Sequence, residues 1–192
     1  MPYVSALPTD LLAGALDTVL REQGHRALQY GSGQGVERLR EQIMEVMALE
    51  GIQGSPADVV VTTGSQHALE LFSKLFLDPG DVVIAEGPSY VTAITVFKSF
   101  QAEVVHVAMD DEGLVPEALS RTIESLKAAD RRIKFLYTIP SFHNPMGVTL
   151  PWQRRTAILA IACAYFIRFA AAIGVGMHVI ATTSPTQLSA AL

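Results

Sequence analysis

Between Val59 and Ile139 the chain alternates short apolar runs with longer segments of helical periodicity, and this alternation narrows the choice of fold more than any other feature. The runs are Val59–Thr62, Val82–Ala85, Glu103–Val107 and Ile133–Ile139. Each of the first three leads into a segment whose pattern predicts a helix, over about 65–77, 89–100 and 116–129. Turn residues such as Asp78-Pro79-Gly80-Asp81 separate the units. Short apolar strands need cover on both faces, and crossover helices between parallel neighbours supply it. The expected class is α/β, an incomplete three-layer αβα arrangement with a mainly parallel sheet.

Upstream, "LPTDLLAGALDTVLREQG" places apolar residues at 11, 12, 15, 16, 19 and 20, which predicts an amphipathic helix ending at Gly24. A glycine-rich stretch, "YGSGQG", precedes a second predicted helix from about Val36 to Glu50, with Gly51 as its stop. The glycines follow a helix rather than a strand, so they do not form a dinucleotide-binding fingerprint.

Formal net charge is −5, and no basic run exceeds Arg131-Arg132 or Arg154-Arg155, which argues against a nucleic-acid footprint. One cysteine, Cys163, permits no internal disulfide and no cysteine-cluster metal site. Residues 1–20 lack the basic start and continuous apolar run of a signal peptide, so a cytoplasmic protein is expected.

Three loops at the predicted carboxyl ends of strands carry polar groups suited to a ligand, where open α/β sheets bind theirs. Gly64-Ser65-Gln66 begins a helix, where N–H groups favour a phosphate; Ser65 is equally a simple helix cap. Tyr90, in Glu86-Gly87-Pro88-Ser89-Tyr90, suits either a planar ligand or the sheet edge. In "TIPSFHNPMG", Asn144 offers both donor and acceptor within a loop shaped by Pro145 and Gly147, though Asn-Pro is also a common turn starter. His143 reads as a half-exposed neighbour and is given no proton-transfer role.

The order of these loops, with Tyr30 ahead of them in "LQYGSGQG", resembles the fold-type I pyridoxal-phosphate enzymes, specifically the class I/II aminotransferases of the 2-aminoadipate and kynurenine branch. The resemblance runs from about Leu7 to Ala162 and is firmest at Gly64-Ser65-Gln66 and Asn144-Pro145-x-Gly147. It implies pyridoxal 5'-phosphate as cofactor and an amino acid and a 2-oxo acid as substrates. It further implies Ser65 and Gln66 on the cofactor phosphate, Tyr90 stacked on the ring and Asn144 on the ring 3-oxygen. Tyr30 would reach the phosphate of a neighbouring subunit in a homodimer. The aminotransferase-like domains of winged-helix regulators are similar too, so a non-catalytic ligand-sensing or interaction domain is the alternative.

The family also uses a lysine, which holds the cofactor as a Schiff base, and an acid about one strand after the Asn-Pro loop. Here the lysines are Lys74, Lys98, Lys127 and Lys134, all before that loop, and no Asp or Glu follows Asp130. No catalytic residue is therefore assigned, and turnover is not expected. The expected division is a partial aminotransferase domain over 1–162 and an atypical apolar tail over 163–192, where charge and resemblance both fade, as after a frameshift. A membrane-spanning reading of Ala157–Ala181, broken by Arg168 and His178, ranks below a mis-framed or core-docking tail, because Thr156–Ala162 already matches a soluble amphipathic helix.

Overall fold

A computed structural model describes residues 7–31, 33–49, 51–165, 168–173 and 178–182. The chain forms two units, one of residues up to Glu45 together with Ser55–Val61, the other of Val46–Gly54 and everything from Thr62 onward.

The first unit contains helix α1 (Thr9–Ala27) and most of α2 (Glu37–Leu49). Gly24 does not end α1 as its sequence suggested: the helix kinks at Gln23, whose φ of −136° is non-helical, and resumes to Ala27. No residue of α1 is buried, and Leu11, Leu12 and Leu16 are exposed. The predicted strand Val59–Thr62 is not a strand. It follows a single 3-10 turn, Pro56–Asp58, capped by Ser55 and Asp58, and Val61 N–H donates to the Gln34 carbonyl (2.9 Å) without a ladder forming around that bond. Extended backbone becomes sheet only where a neighbour offers a row of partners.

In the second unit, helix α3 (Ser65–Phe76) leads to β1 (Val82–Gly87), α4 (Val91–Ser99), β2 (Glu103–Asp110), the two-residue β3 (Gly113–Leu114), α5 (Pro116–Ala128), β4 (Ile133–Thr138), α6 (Trp152–Ala164), β5 (Arg168–Ile173) and β6 (His178–Thr182). The sheet order is β3-β2-β1-β4-β5-β6. Strands β2, β1, β4 and β5 are mutually parallel, and the short β3 and the final β6 are antiparallel at the two edges.

Strand alternation divides the core. Val83, Ala85, Phe135 and Tyr137 face one way, against Leu69 and Phe72 of α3 and Ala93, Val96 and Phe97 of α4. Val82, Ile84 and Leu136 face the other way, against Leu119 and Ile123 of α5 and Ile158 of α6. The three-layer expectation thus holds, with helices on both faces of a mostly parallel sheet. At the amino edge, buried Asp81 accepts from the Asp78 N–H (2.7 Å) and pairs with Arg132 (2.7 Å) and Lys134 (3.2 Å), which satisfies its charge. Among the described residues, no helix is long and apolar enough to cross a membrane.

Candidate functional site

Strands β1 and β4 are adjacent and parallel, so the loops that leave their carboxyl ends emerge side by side. The first runs from Gly87 to Tyr90, which caps α4. The second runs from Ile139 to Pro151, the residue before α6, and carries Asn144. Glu86, fully buried near the end of β1, joins them. Its Oε1 accepts from the Thr138 hydroxyl (2.6 Å) and its Oε2 from the Ile139 N–H (2.8 Å). His143 Nε2 lies 3.1 Å from the same Oε2, off the line of a well-directed hydrogen bond. On the other side of the ring, Nδ1 accepts from Met146 N–H (3.4 Å), so the proton resides on Nε2, facing the carboxylate. His143 is 1% exposed, which corrects the half-exposed reading: it is an internal strut of the loop.

The rest of this loop is stapled in pairs. Leu150 N–H donates to the Pro140 carbonyl (2.9 Å), His143 N–H to Val148 (2.8 Å) and Gly147 N–H to His143 (2.5 Å). Gly147 has a φ of +72°, the left-handed region that a side chain would strain. Arg155 on α6 grips both ends of the loop, with Nε on the Leu150 carbonyl (2.8 Å) and Nη2 on the Pro140 carbonyl and Ser141 Oγ (both 2.9 Å). Burial lowers its pKa, but a guanidinium remains charged. Asn144 is left exposed on this braced frame.

The loop on β1 is seated from the opposite side. His106 Nδ1 lies 2.8 Å from the Glu86 carbonyl oxygen. A Cβ on Gly87 would press on His106 Cβ (3.1 Å) and the Val107 carbonyl (3.3 Å), so glycine lets the loop lie against β2 without pushing these neighbours aside. Tyr90 is half-buried and packs on the cluster that contains Leu69 and Tyr137. Two polar atoms nearby in sequence, Ser89 Oγ and the Tyr137 hydroxyl, are buried without a hydrogen-bond partner among the described residues. Burial, reinforced by the charge of Glu86 and by Tyr90, pushes the Tyr137 pKa upward.

Helix α3 opens with Gly64 as its cap, at φ +100° and ψ 169°, a conformation essentially reserved for glycine. No side chain caps its first turn and no acidic residue stands there, so its N–H groups are free to meet an anion. Ser65 is half-buried and Gln66 exposed, its amide donating to Glu70 (3.2 Å). Helix α3 ends at Phe76 and β1 begins at Val82, so the helix finishes near the amino edge and its start points toward the carboxyl edge, about 18 Å away along its axis. Tyr30 belongs to the other unit and is fully exposed.

Of the predicted residues, Tyr90 and Asn144 stand on neighbouring loops joined through Glu86, and Ser65 and Gln66 begin the helix that shares Tyr90's apolar cluster. Sequence reasoning missed Glu86, Thr138 and Arg155. An acidic residue closing an otherwise apolar strand was the available signal for Glu86.

The helix start and the paired strand-end loops belong to one α/β unit, and the uncapped first turn of α3 suits an anion. The chain belongs to the class I and II aminotransferase family, whose model matches residues 4–169. It is 35% identical over 166 residues to aromatic-amino-acid aminotransferase 1 of Thermococcus litoralis, covering 86% of this chain and 40% of that protein. The crystal structure of an archaeal alanine:glyoxylate aminotransferase superposes with a TM-score of 0.83 at 34% identity, over 86% of this chain and 41% of that one. An α-aminoadipate aminotransferase of Thermus thermophilus, complexed with N-(5'-phosphopyridoxyl)-L-leucine, gives a TM-score of 0.77 at 34% identity, over 86% of this chain and 40% of that one. The chain thus spans about two fifths of the length of these relatives.

Proposed function

We propose that this chain carries the cofactor-holding part of a pyridoxal 5'-phosphate-dependent amino-acid aminotransferase, an enzyme that moves an amino group between an amino acid and a 2-oxo acid. The observation that carries the reading is the junction of the Tyr90 and Asn144 loops at the ends of adjacent parallel strands, closed by Glu86 on Thr138 and Ile139. The residues present fit the cofactor. The first turn of α3 has no side-chain cap and no carboxylate to repel a phosphate, and a Cβ on Gly64 would meet nothing within 4 Å. Two buried hydroxyls, of Ser89 and Tyr137, remain without partners close in sequence to the Tyr90 and Asn144 loops.

In this reading Ser65, Gln66 and the N–H groups of α3 take the phosphate, Tyr90 lies against the ring, and the Asn144 amide donates to the ring 3-oxygen. Tyr30 completes the phosphate seat of a second subunit. When bound, the cofactor supplies an electron sink for amino-group transfer. This chain's residues bind and orient it. They do not supply the amine that anchors it: Lys74, Lys98 and Lys127 lie in the last turns of α3, α4 and α5, at the ends that return to the amino edge of the sheet. Lys134, the second residue of β4, is paired with Asp78 and Asp81. Strand β5, the next strand after the Asn-Pro loop, contains no Asp or Glu between Arg168 and Ile173. Turnover therefore requires a lysine and an acid from outside these residues, and by themselves they bind cofactor without converting substrate.

Titration of the purified chain with pyridoxal 5'-phosphate, followed by borohydride reduction and peptide mapping, tests both halves of the reading. The expected result is reversible binding, weakened by Ser65→Ala and Asn144→Ala but unaffected by Lys74→Ala, with no site-selective lysine adduct. Absence of binding overturns the cofactor seat. A single reduced lysine adduct accompanied by transamination overturns the claim that an outside amine is needed.

A further inference from the structure

We infer that Glu86 is a positioning residue, whose buried carboxylate fixes the Asn144-bearing loop against the Tyr90-bearing loop through Thr138, Ile139 and His143. The purpose of this arrangement rests on the cofactor reading above; its geometry stands independently. Glu86 is 0% exposed, yet an acidic side chain at the end of an apolar strand carries a heavy desolvation penalty. An apolar residue of similar size would serve core stability at least as well. What it would not do is select one arrangement of the following loop.

The carboxylate meets that need because its contacts fall on three consecutive features of the second loop. They are the last residue of β4, Thr138 (2.6 Å), the first loop N–H, Ile139 (2.8 Å), and the His143 ring (3.1 Å), one residue before Asn144. The His143 ring also holds the Met146 N–H beyond Asn144 (3.4 Å), so the histidine brackets the asparagine from both sides. Glu86 itself cannot drift, since His106 contacts its carbonyl oxygen (2.8 Å) and Gly87 packs on the same histidine. A displacement of β1 relative to β4 therefore moves Asn144 with it. A glutamine at position 86 keeps the shape but is uncharged and has one acceptor oxygen instead of two, so once that oxygen takes the Ile139 N–H the Thr138 hydroxyl must turn from donor to acceptor of the NH2.

The test uses the full chain and its Glu86→Gln variant, with and without Asn144→Ala. Hydrogen exchange of the ligand-free chain reads residues 86–91 and 139–150, and pyridoxine 5'-phosphate, which has no aldehyde to label lysines, is titrated by fluorescence. In E86Q, exchange is expected to rise in both segments and affinity to fall about tenfold, the lower range for loss of a partner that orients a ligating group. In the double variant the loss is expected to fall well short of the sum of the two single losses, because much of the effect of Glu86 runs through the asparagine. A purely structural role for Glu86 predicts additive losses, which would overturn the inference, as would unchanged exchange and affinity in E86Q. If E86Q fails to fold, Thr138→Val removes one of the contacts and must show the same non-additivity with Asn144→Ala, at about threefold, or the inference is wrong. The two readings part cleanly: loosened loops in E86Q with no probe binding by the parent chain sink the cofactor seat and leave the positioning role standing. Tight binding by both parent and E86Q does the reverse.

Discussion

Ser65 and Asn144 are presented by turns that differ in how far their supports reach. Around Ser65 the contacts are local: Thr62 Oγ1 donates to the Gly64 carbonyl (3.1 Å), and the Thr63 N–H and hydroxyl lie 3.3 and 3.1 Å from His67 Nδ1. The frame of Asn144 is tied to residues far along the chain, to Glu86 on β1 and Arg155 on α6. A helix start needs little more, because its N–H groups are oriented by the helix itself. A side-chain amide on an exposed loop has no such frame and must have one built around it. The two turns should therefore respond to substitution in different ways.

The largest effect is expected at Arg155. Replacement by alanine strips the charged partner from the Leu150 and Pro140 carbonyls and from Ser141 Oγ. A hydrogen bond to a charged group contributes about 1.5–3 kcal/mol, and these share one side chain, so a loss of about 2–3 kcal/mol is expected in chemical denaturation. Arg155→Lys should recover only a fraction, since an ammonium does not span both ends of the loop. A loss below about 0.5 kcal/mol would mean the loop is held without α6 and would dissolve the contrast with Ser65.

Gly64→Ala probes the local turn. At φ +100° and ψ 169° the added Cβ meets no neighbour within 4 Å, so the penalty is wholly backbone strain, about 1–3 kcal/mol. The expected signature is a destabilised start of α3, seen as faster exchange of its first-turn amides, with the Asn144 loop unaltered. Propagation of that change into residues 139–150 would show that the two turns are not separately built.

Tyr137→Phe asks whether the Asn144 loop is held from both faces of β4. Thr138 bonds to Glu86, while Tyr137 points to the opposite face, where its hydroxyl has no partner and Phe97 packs edge-on at 5.3 Å. Removing an unsatisfied buried hydroxyl should leave stability equal or up to about 1 kcal/mol higher at neutral pH. The pH dependence carries the clearer sign. Burial raises the Tyr137 pKa above its ordinary value of 10.0, so at higher pH the unfolded chain ionises while the folded chain keeps its proton. The unfolded state then binds fewer protons, and stability falls with rising pH. The parent chain should lose more stability above pH 10 than Tyr137→Phe, in which Tyr165, its pKa raised by the hydrogen bond to Glu124, still contributes, and the excess is read as the difference between their denaturation midpoints.

What could be read from the sequence follows the same division between local and distant support. Helices α3 to α5 and strands β1, β2 and β4 lie where periodicity and turn residues put them, because each is specified by its own residues and neighbours. The Val59–Thr62 run carries the same apolar signal as the true strands but has no ladder partner among the described residues, and a strand is a property of two segments. Gly24 punctuates α1 without ending it, since glycine weakens a helix only modestly. Asn144 was visible through Pro145 and Gly147, whereas the roles of Glu86 and Arg155 depend on contacts across 53 and 15 residues that no local pattern encodes. His143 shows the limit most plainly: its neighbours suggest an open loop, and only the fold brings it against Glu86.

Gln66 supplies the smallest effect on stability and the cleanest separation of stability from binding. It is exposed on the first turn of α3, and its amide donates to Glu70 one turn on, at 3.2 Å. A surface pair of that spacing contributes about 0.2–0.5 kcal/mol, so Gln66→Ala should shift the denaturation midpoint almost imperceptibly. If the start of α3 is a phosphate seat, the amide is freed to turn toward the anion, and the substitution should weaken pyridoxine 5'-phosphate binding several-fold while leaving exchange at residues 139–150 unchanged. Equal affinity in parent and variant would confine the phosphate contacts to Ser65 and backbone N–H groups. The local turn would then bind through its helix alone, which is the furthest the contrast with the Asn144 loop can be drawn.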